Sequence, residues 1–262
     1  MKKTRVGAVA AVVMAIGGCV GSTGSELVTF RAAAAGPKDA VLGAPLTFTT
    51  PRGFHVVLTR ARVHVGAIYL NQSVPVSGSQ ATSCTLPGIY VGEVTDGVDV
   101  DALSPEPQAF PSEGRGTAEH AAAGEVWLTA GDVNADDTSM PVVEIAGTAD
   151  RDGASFPFEG RVTIGKNRIT PAKDPASPGA SPICRQRIVS PILADVSLRS
   201  GGTLLLRIDP RGWFVNVDFS EIPKVSDAPL YRFADETSGG ASNSFYAGVR
   251  STSGVYTFGV LP

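Results

Sequence analysis

The stretch Gly53–Leu70, "GFHVVLTRARVHVGAIYL", sets the class of fold. Apolar and polar residues alternate along it, the two-residue period of a strand with one buried face. Phe54, Val56 and Leu58 hold even positions, whereas Ala61, Val63, Val65, Ala67 and Tyr69 hold odd ones. A continuous strand cannot change parity in this way, because a one-residue slip sends every side chain to the opposite face. The apolar face changes near Thr59, so the pattern predicts a β-bulge at Thr59–Arg60 in preference to a bend between sheets.

The same two-residue period recurs on both sides of this stretch. In "GTLLLRIDPRGWFVNVDFS" (202–220), Leu204, Leu206 and Ile208 alternate, then Trp213, Val215, Val217 and Phe219. Asp209-Pro210-Arg211-Gly212 between them suits a type I turn, which predicts a hairpin. A second hairpin is predicted for 142–165, around Asp152-Gly153, and a third for 244–260, with Phe245, Ala247 and Val249 before its turn. Shorter strands are predicted at "TFRA" (29–32), "LTFTT" (46–50), "GIYVGEV" (88–94) and "GEVWLT" (124–129). Helix is confined to a turn or two within "GTAEHAAAGEVW" (116–127). Thirty glycines and nineteen prolines argue for many turns and against long helices. The expectation is an all-β fold, an antiparallel β-sandwich (immunoglobulin-like or jelly-roll-like) with long loops, forming a single domain over 27–262.

The amino-terminal residues have a different character. Lys2, Lys3 and Arg5 precede an apolar run from Val6 to Ile16, the layout of a secretory signal. The run is shorter than the roughly 20 residues that span a bilayer. "AIGGC", Ala15 to Cys19, resembles the lipobox of bacterial lipoproteins. That resemblance implies cleavage before Cys19, a signal peptide over 1–18, and acyl chains such as palmitate on the Cys19 sulfur and the new amino terminus. Val20 in the following position implies an outer-membrane destination in a two-membrane bacterium. Residues 19–26 then read as a flexible tether between membrane and domain.

The chain has three cysteines. Lipid on Cys19 leaves Cys84 and Cys184, either as a disulfide in an oxidising compartment or as two buried thiols. A bridge would close a loop of about a hundred residues and contribute roughly 4–5 kcal/mol in the chain-entropy model.

A net charge of −3 with interspersed signs excludes a nucleic-acid footprint and a basic membrane patch. Metal ligands are sparse. His55, His64 and His120 are the only histidines. His55 and His64 stand about 30 Å apart on a straight strand, at roughly 3.3 Å per residue, among arginines that repel a cation. Trp127 lies near His120, which is faintly similar to secreted copper-binding β-sandwich proteins that combine histidines with a modified tryptophan; no residue role transfers from it. Asp132, Asn134, Asp136 and Asp137 have the alternation that opens a calcium loop, without its glycine, and equally suit Asx turns. No G-x-S-x-G elbow is present, so no catalytic residue is assigned. The sequence therefore predicts a lipid-anchored cell-envelope protein with a binding or structural role in preference to a catalytic one, whose partner is a protein or envelope polymer. The alternative is an envelope metal-binding protein, using copper through histidine or calcium through 132–137. A third reading is a hydrolase with paired carboxylates, which meet only in three dimensions.

Overall fold

The computed structural model describes residues 25–75, 88–129, 132–135, 139–168, 182–236 and 239–261. The signal segment, Cys19, Cys84, Asp136 and Asp137 lie outside the described residues, as do most of residues 74–84 and 169–184. Among the described residues fifteen strands are formed: β1 (Leu27–Ala35), β2 (Leu46–Thr49), β3 (His55–Val65), β4 (Ala67–Asn71), β5 (Tyr90–Val94), β6 (Val98–Asp101), β7 (Gln108–Ala109), β8 (Gly114–Thr117), β9 (His120–Trp127), β10 (Val143–Arg151), β11 (Ala154–Val162), β12 (Ile188–Ser197), β13 (Thr203–Ile208), β14 (Tyr231–Arg232) and β15 (Tyr256–Leu261). Two short helices accompany them, α1 (Ile183–Arg187) and α2 (Gly240–Val249).

The expected all-β sandwich with little helix is what the chain builds. The first sheet runs β12-β9-β4-β5-β8-β1-β13-β15, with β7 also on β1; the second runs β14-β11-β10-β3-β2, with β6 also on β3. Both sheets are mixed, where sequence alone predicts antiparallel ones. β1 pairs with β13 in parallel, and β11 with β14. Partners so distant in sequence have the long crossover that parallel pairing requires. The first sheet curls until its edge strands β12 and β15 meet.

The opening stretch accounts for much of this architecture. Arg60 pairs with Ala146 but Leu58 with Gly147, so Thr59 is the extra residue of the expected bulge. Its Oγ1 donates to the Ala146 carbonyl at 3.1 Å. Val56 and Leu58 before it, and Ala61, Val63 and Val65 after it, consequently all face the core. A second change of parity follows at Gly66, where the chain leaves the second sheet for the first. A Cβ there would lie 2.5 Å from the Thr129 carbonyl oxygen, so only glycine fits the crossing. Beyond it Ile68 and Leu70 are fully buried, and Tyr69, which the sequence pattern groups with the core residues, faces outward.

The β10–β11 hairpin forms as expected, with Asp152 and Gly153 at φ 53° and 80° in its turn. The other two expected hairpins do not. After β13 the chain folds into 3₁₀ turns at 210–214 and 219–221. Asp209 caps the first by accepting from Arg211 N at 3.0 Å. Trp213, Phe214, Val217 and Phe219 are all buried; neighbours of both parities bury here, which a one-sided strand cannot do. Residues 240–249 form α2, burying Ala241, Ser242, Phe245, Tyr246 and Val249 at helical spacing. The alanine-rich segment read as helix is strand β9. Small residues suit it because Phe258 packs over Gly124, where a Cβ would lie 2.2 Å from the ring.

Between the sheets and the 3₁₀ turns lies an aromatic core. Phe214 stacks on Phe245 at 5.4 Å and on Phe219 at 5.7 Å, and Phe219 meets Phe54 edge-on at 5.1 Å. Each such ring contributes about 2–3 kcal/mol through burial. Cys184, in α1, is buried and disulfide-bonded. Among the described residues no helix is long and apolar enough to cross a membrane.

Candidate functional site

The crossing at Gly66 puts Tyr69 on the outer face of the first sheet, and strand register assembles a polar row around it. Thr29 of β1 lies opposite Arg115 of β8, and Arg115 opposite Glu93 of β5. Glu93 in turn faces Tyr69 of β4, which faces Glu125 of β9. Five strands at about 4.8 Å spacing make the row roughly 20 Å long.

Glu125 anchors one end of the row and is only 1% exposed. Its Oε1 accepts from Asn71 Nδ2 and from the Tyr90 hydroxyl, each at 3.2 Å, and its Oε2 accepts from Trp127 Nε1 at 3.2 Å. The Tyr69 ring lies 4.7 Å from that of Trp127 and 5.5 Å from that of Tyr90. Burial pushes the Glu125 carboxyl above the usual carboxylate range, opposed by its three donors and by the charge of Arg185. Burial likewise raises the Tyr90 phenol, reinforced by the Glu125 charge. Arg185, on α1, holds its proton less tightly than usual, because of burial and then the like charge of Arg250. Behind the cluster Gly88 passes so close that a Cβ would sit 2.3 Å from Asn71 Oδ1.

Beside the cluster a groove of about 500 Å³ runs between β1, β5 and β8, lined by Leu27, Thr29, Tyr90, Glu93, Arg115 and Ser200, among others. Gly92 and Gly116 lie beneath it, and their missing side chains make room on the core side, where a Cβ would lie 2.5 and 2.9 Å from Leu198 Cδ1. Tyr90 stands in its wall 43% exposed, with its hydroxyl held by Glu125. An aromatic face is thereby offered to solvent at a fixed angle, next to hydroxyls, one carboxylate and one guanidinium.

The arrangement suits binding better than catalysis. Glu93 stands two strands from Glu125, a backbone separation of about 10 Å, near the spacing of paired-carboxylate hydrolases. Glu125 is nevertheless sealed among Tyr69, Tyr90 and Trp127, out of reach of a molecule in the groove. Three donors on its two oxygens also make it a poor metal ligand.

The residues singled out from sequence do not converge. His55 and His64 begin and nearly end β3 in the second sheet, whereas His120 begins β9 in the first. His64 Nδ1 lies 2.7 Å from Asp99 Oδ1, and His120 Nε2 lies 2.8 Å from Asp195 Oδ1. Asp132 forms an Asx turn, its Oδ1 accepting from Asn134 N at 2.9 Å. The Arg187 guanidinium donates to the carbonyls of Asp132 and Val133 at 2.8 and 3.0 Å, a charge ill placed for a calcium loop. Among the described residues no group of three His, Cys, Asp or Glu side chains is arranged to hold a metal ion. Glu125 itself escaped sequence reading: its donors Asn71 and Tyr90 come from other strands, and nothing local in "GEVWLT" marks the glutamate as buried.

No family model matches the sequence, and no curated protein matches it. Among solved structures, MbnP from Methylosinus trichosporium is similar in fold at a TM-score of 0.43, with 14% identity over 91% of this chain and all of that one.

Proposed function

We propose that the chain is a lipid-anchored cell-envelope protein whose β-sandwich binds an envelope glycan in the groove beside Tyr90. One observation carries the binding role: Tyr90 faces solvent, yet its hydroxyl is tied to a carboxylate that is 1% exposed. Burying a carboxylate costs several kcal/mol unless its hydrogen bonds are satisfied, and here that network orients a surface ring. A sugar has an apolar face for the ring and hydroxyls for Thr29, Glu93, Arg115 and Ser200.

The amino-terminal segment supports the anchoring. A charged start, a short apolar run and "AIGGC" ending at Cys19 give the outer membrane of a two-membrane bacterium as the destination. The tether is short, since Leu27 follows Cys19 by eight residues. With Cys19 carrying lipid, Cys84 is the partner of the disulfide-bonded Cys184.

Two experiments test these parts separately. Cys19→Ser is expected to move the protein from the membrane to the soluble fraction; continued membrane association would refute the anchor. The soluble Cys19→Ser form is then expected to co-sediment with isolated cell-wall sacculi. Tyr90→Ala should cut that binding by about tenfold, equivalent to 1.4 kcal/mol. No sedimentation, or sedimentation indifferent to Tyr90, would refute the groove as a glycan site.

A further inference from the structure

We infer that the outer face of the second sheet carries a second, separate binding site for a compact dianion: a phosphate ester or a dicarboxylate. The bulge at Thr59 keeps Arg60 and Arg62 pointing outward on β3. Across β10 and β11 they meet a charged pattern, with Arg62 opposite Glu144 and Glu144 opposite Arg161. A cavity of about 630 Å³ opens beside this pattern, bringing Arg60, Arg161, Lys224 and Arg232 together from four separate segments of the chain. Pro223, Val225 and Phe233 supply its apolar lining. Phe233 crosses β11 at Gly160, where a Cβ would lie 2.9 Å from the Phe233 Cβ.

The inference follows from which charges are already spent. Arg232 is bound to Glu159, its Nε and Nη2 both 2.7 Å from Oε1. Asp235, at the rim, accepts from Arg168 Nη2 at 2.8 Å, from Thr163 N at 2.9 Å and from Thr163 Oγ1 at 2.5 Å. Among the described residues Arg60, Arg161 and Lys224 have no carboxylate within ion-pair distance, and Glu144 is the one acid of the lining still uncommitted. Three unspent positive charges thus face one unspent negative charge, and the cleft lacks about two. Two other surface arginines, by contrast, are tied down. Arg52 lies 2.9 Å from Asp218, and Arg211 is shared between Asp39 and Asp209 at 2.8 and 2.7 Å. Guanidinium forks suit phosphate and carboxylate alike, and the apolar lining favours a ligand that carries its charge on a carbon body.

The test is calorimetric titration of the soluble Cys19→Ser chain with phenyl phosphate, succinate and inorganic phosphate, at an ionic strength of about 10 mM so that screening is weak. Phenyl phosphate or succinate is expected to bind, more tightly than inorganic phosphate. The better of the two names the head group. Arg161→Glu combined with Lys224→Glu should weaken that binding by at least about tenfold, equivalent to 1.4 kcal/mol. Tyr90→Ala, on the opposite sheet, should leave it unchanged. All the substituted side chains of the cleft are exposed, so the variant keeps its fold. Failure of phenyl phosphate and succinate to bind, or a double variant within twofold of the parent, would overturn the site. Neither result bears on the glycan groove.

Discussion

The outer faces of the two sheets solve the problem of surface polarity in opposite ways. On the first sheet, β4, β5 and β9 sink one carboxylate beneath three aromatic rings and give each of its oxygens a donor. On the second, β3, β10 and β11 lay arginines and glutamates on the open surface and leave several unpaired. Buried polar groups need complete satisfaction, because each orphaned donor or acceptor costs about 1–3 kcal/mol. Exposed charges need none, since water and salt serve them. The first face should therefore be stiff and stability-critical, and the second tolerant of substitution while sensitive to ligand and salt.

The sharpest way to break the contrast is to delete Thr59. Without the extra residue, either Val56 and Leu58 or Ala61, Val63 and Val65 must leave a core in which each is at most 1% exposed. The outward set of arginines would turn inward with them. A loss above about 4 kcal/mol is expected, enough to unfold a marginal domain. A near-native urea midpoint would mean that the bulge does not set the face.

Next in size is Glu125→Ala, which strands the donors of Asn71, Tyr90 and Trp127 and should cost about 3 kcal/mol in urea unfolding. The pH dependence has a definite sign. Glu125 holds its proton more tightly when folded than when unfolded, where its ordinary value is 4.5. Its contribution is therefore full below that value and is lost as pH rises through the higher folded one. The stability difference between the parent and Glu125→Gln should accordingly shrink from pH 4 upward. A difference that grows with pH would show that the donors outweigh burial.

The smallest effect belongs to the second face. Arg161→Glu with Lys224→Glu should alter unfolding free energy by no more than about 0.5 kcal/mol. A larger loss would show these cations to be structural and would erase the distinction between the faces.

How much of each face could be read from sequence differs for a related reason. Local alternation exposed the bulge at Thr59 and, with it, the outward arginines of the second sheet, because both belong to one strand. The same alternation misled at Tyr69, since a single glycine at position 66 switches sheets and resets the parity. The hairpins expected at 202–220 and 244–260 failed where aromatic residues are buried on all sides. Two-residue and helical periods are then hard to separate over so short a span. The Glu125 cluster was invisible, because each of its hydrogen bonds to Asn71 and Tyr90 joins strands remote in sequence. The dispersal of His55, His64 and His120 was legible in part: strand rise alone separates the first two.

The most direct measurement is the emission of the two tryptophans during titration of the soluble chain with glycan fragments released from sacculi. Trp213 is buried in the core, whereas Trp127 shares Glu125 with Tyr90 and senses the groove. A saturable change is expected for the parent and for the Arg161→Glu, Lys224→Glu double variant, and its loss is expected in Tyr90→Ala. An unresponsive parent, or a Tyr90→Ala chain that responds equally, would contradict a glycan site on the first sheet.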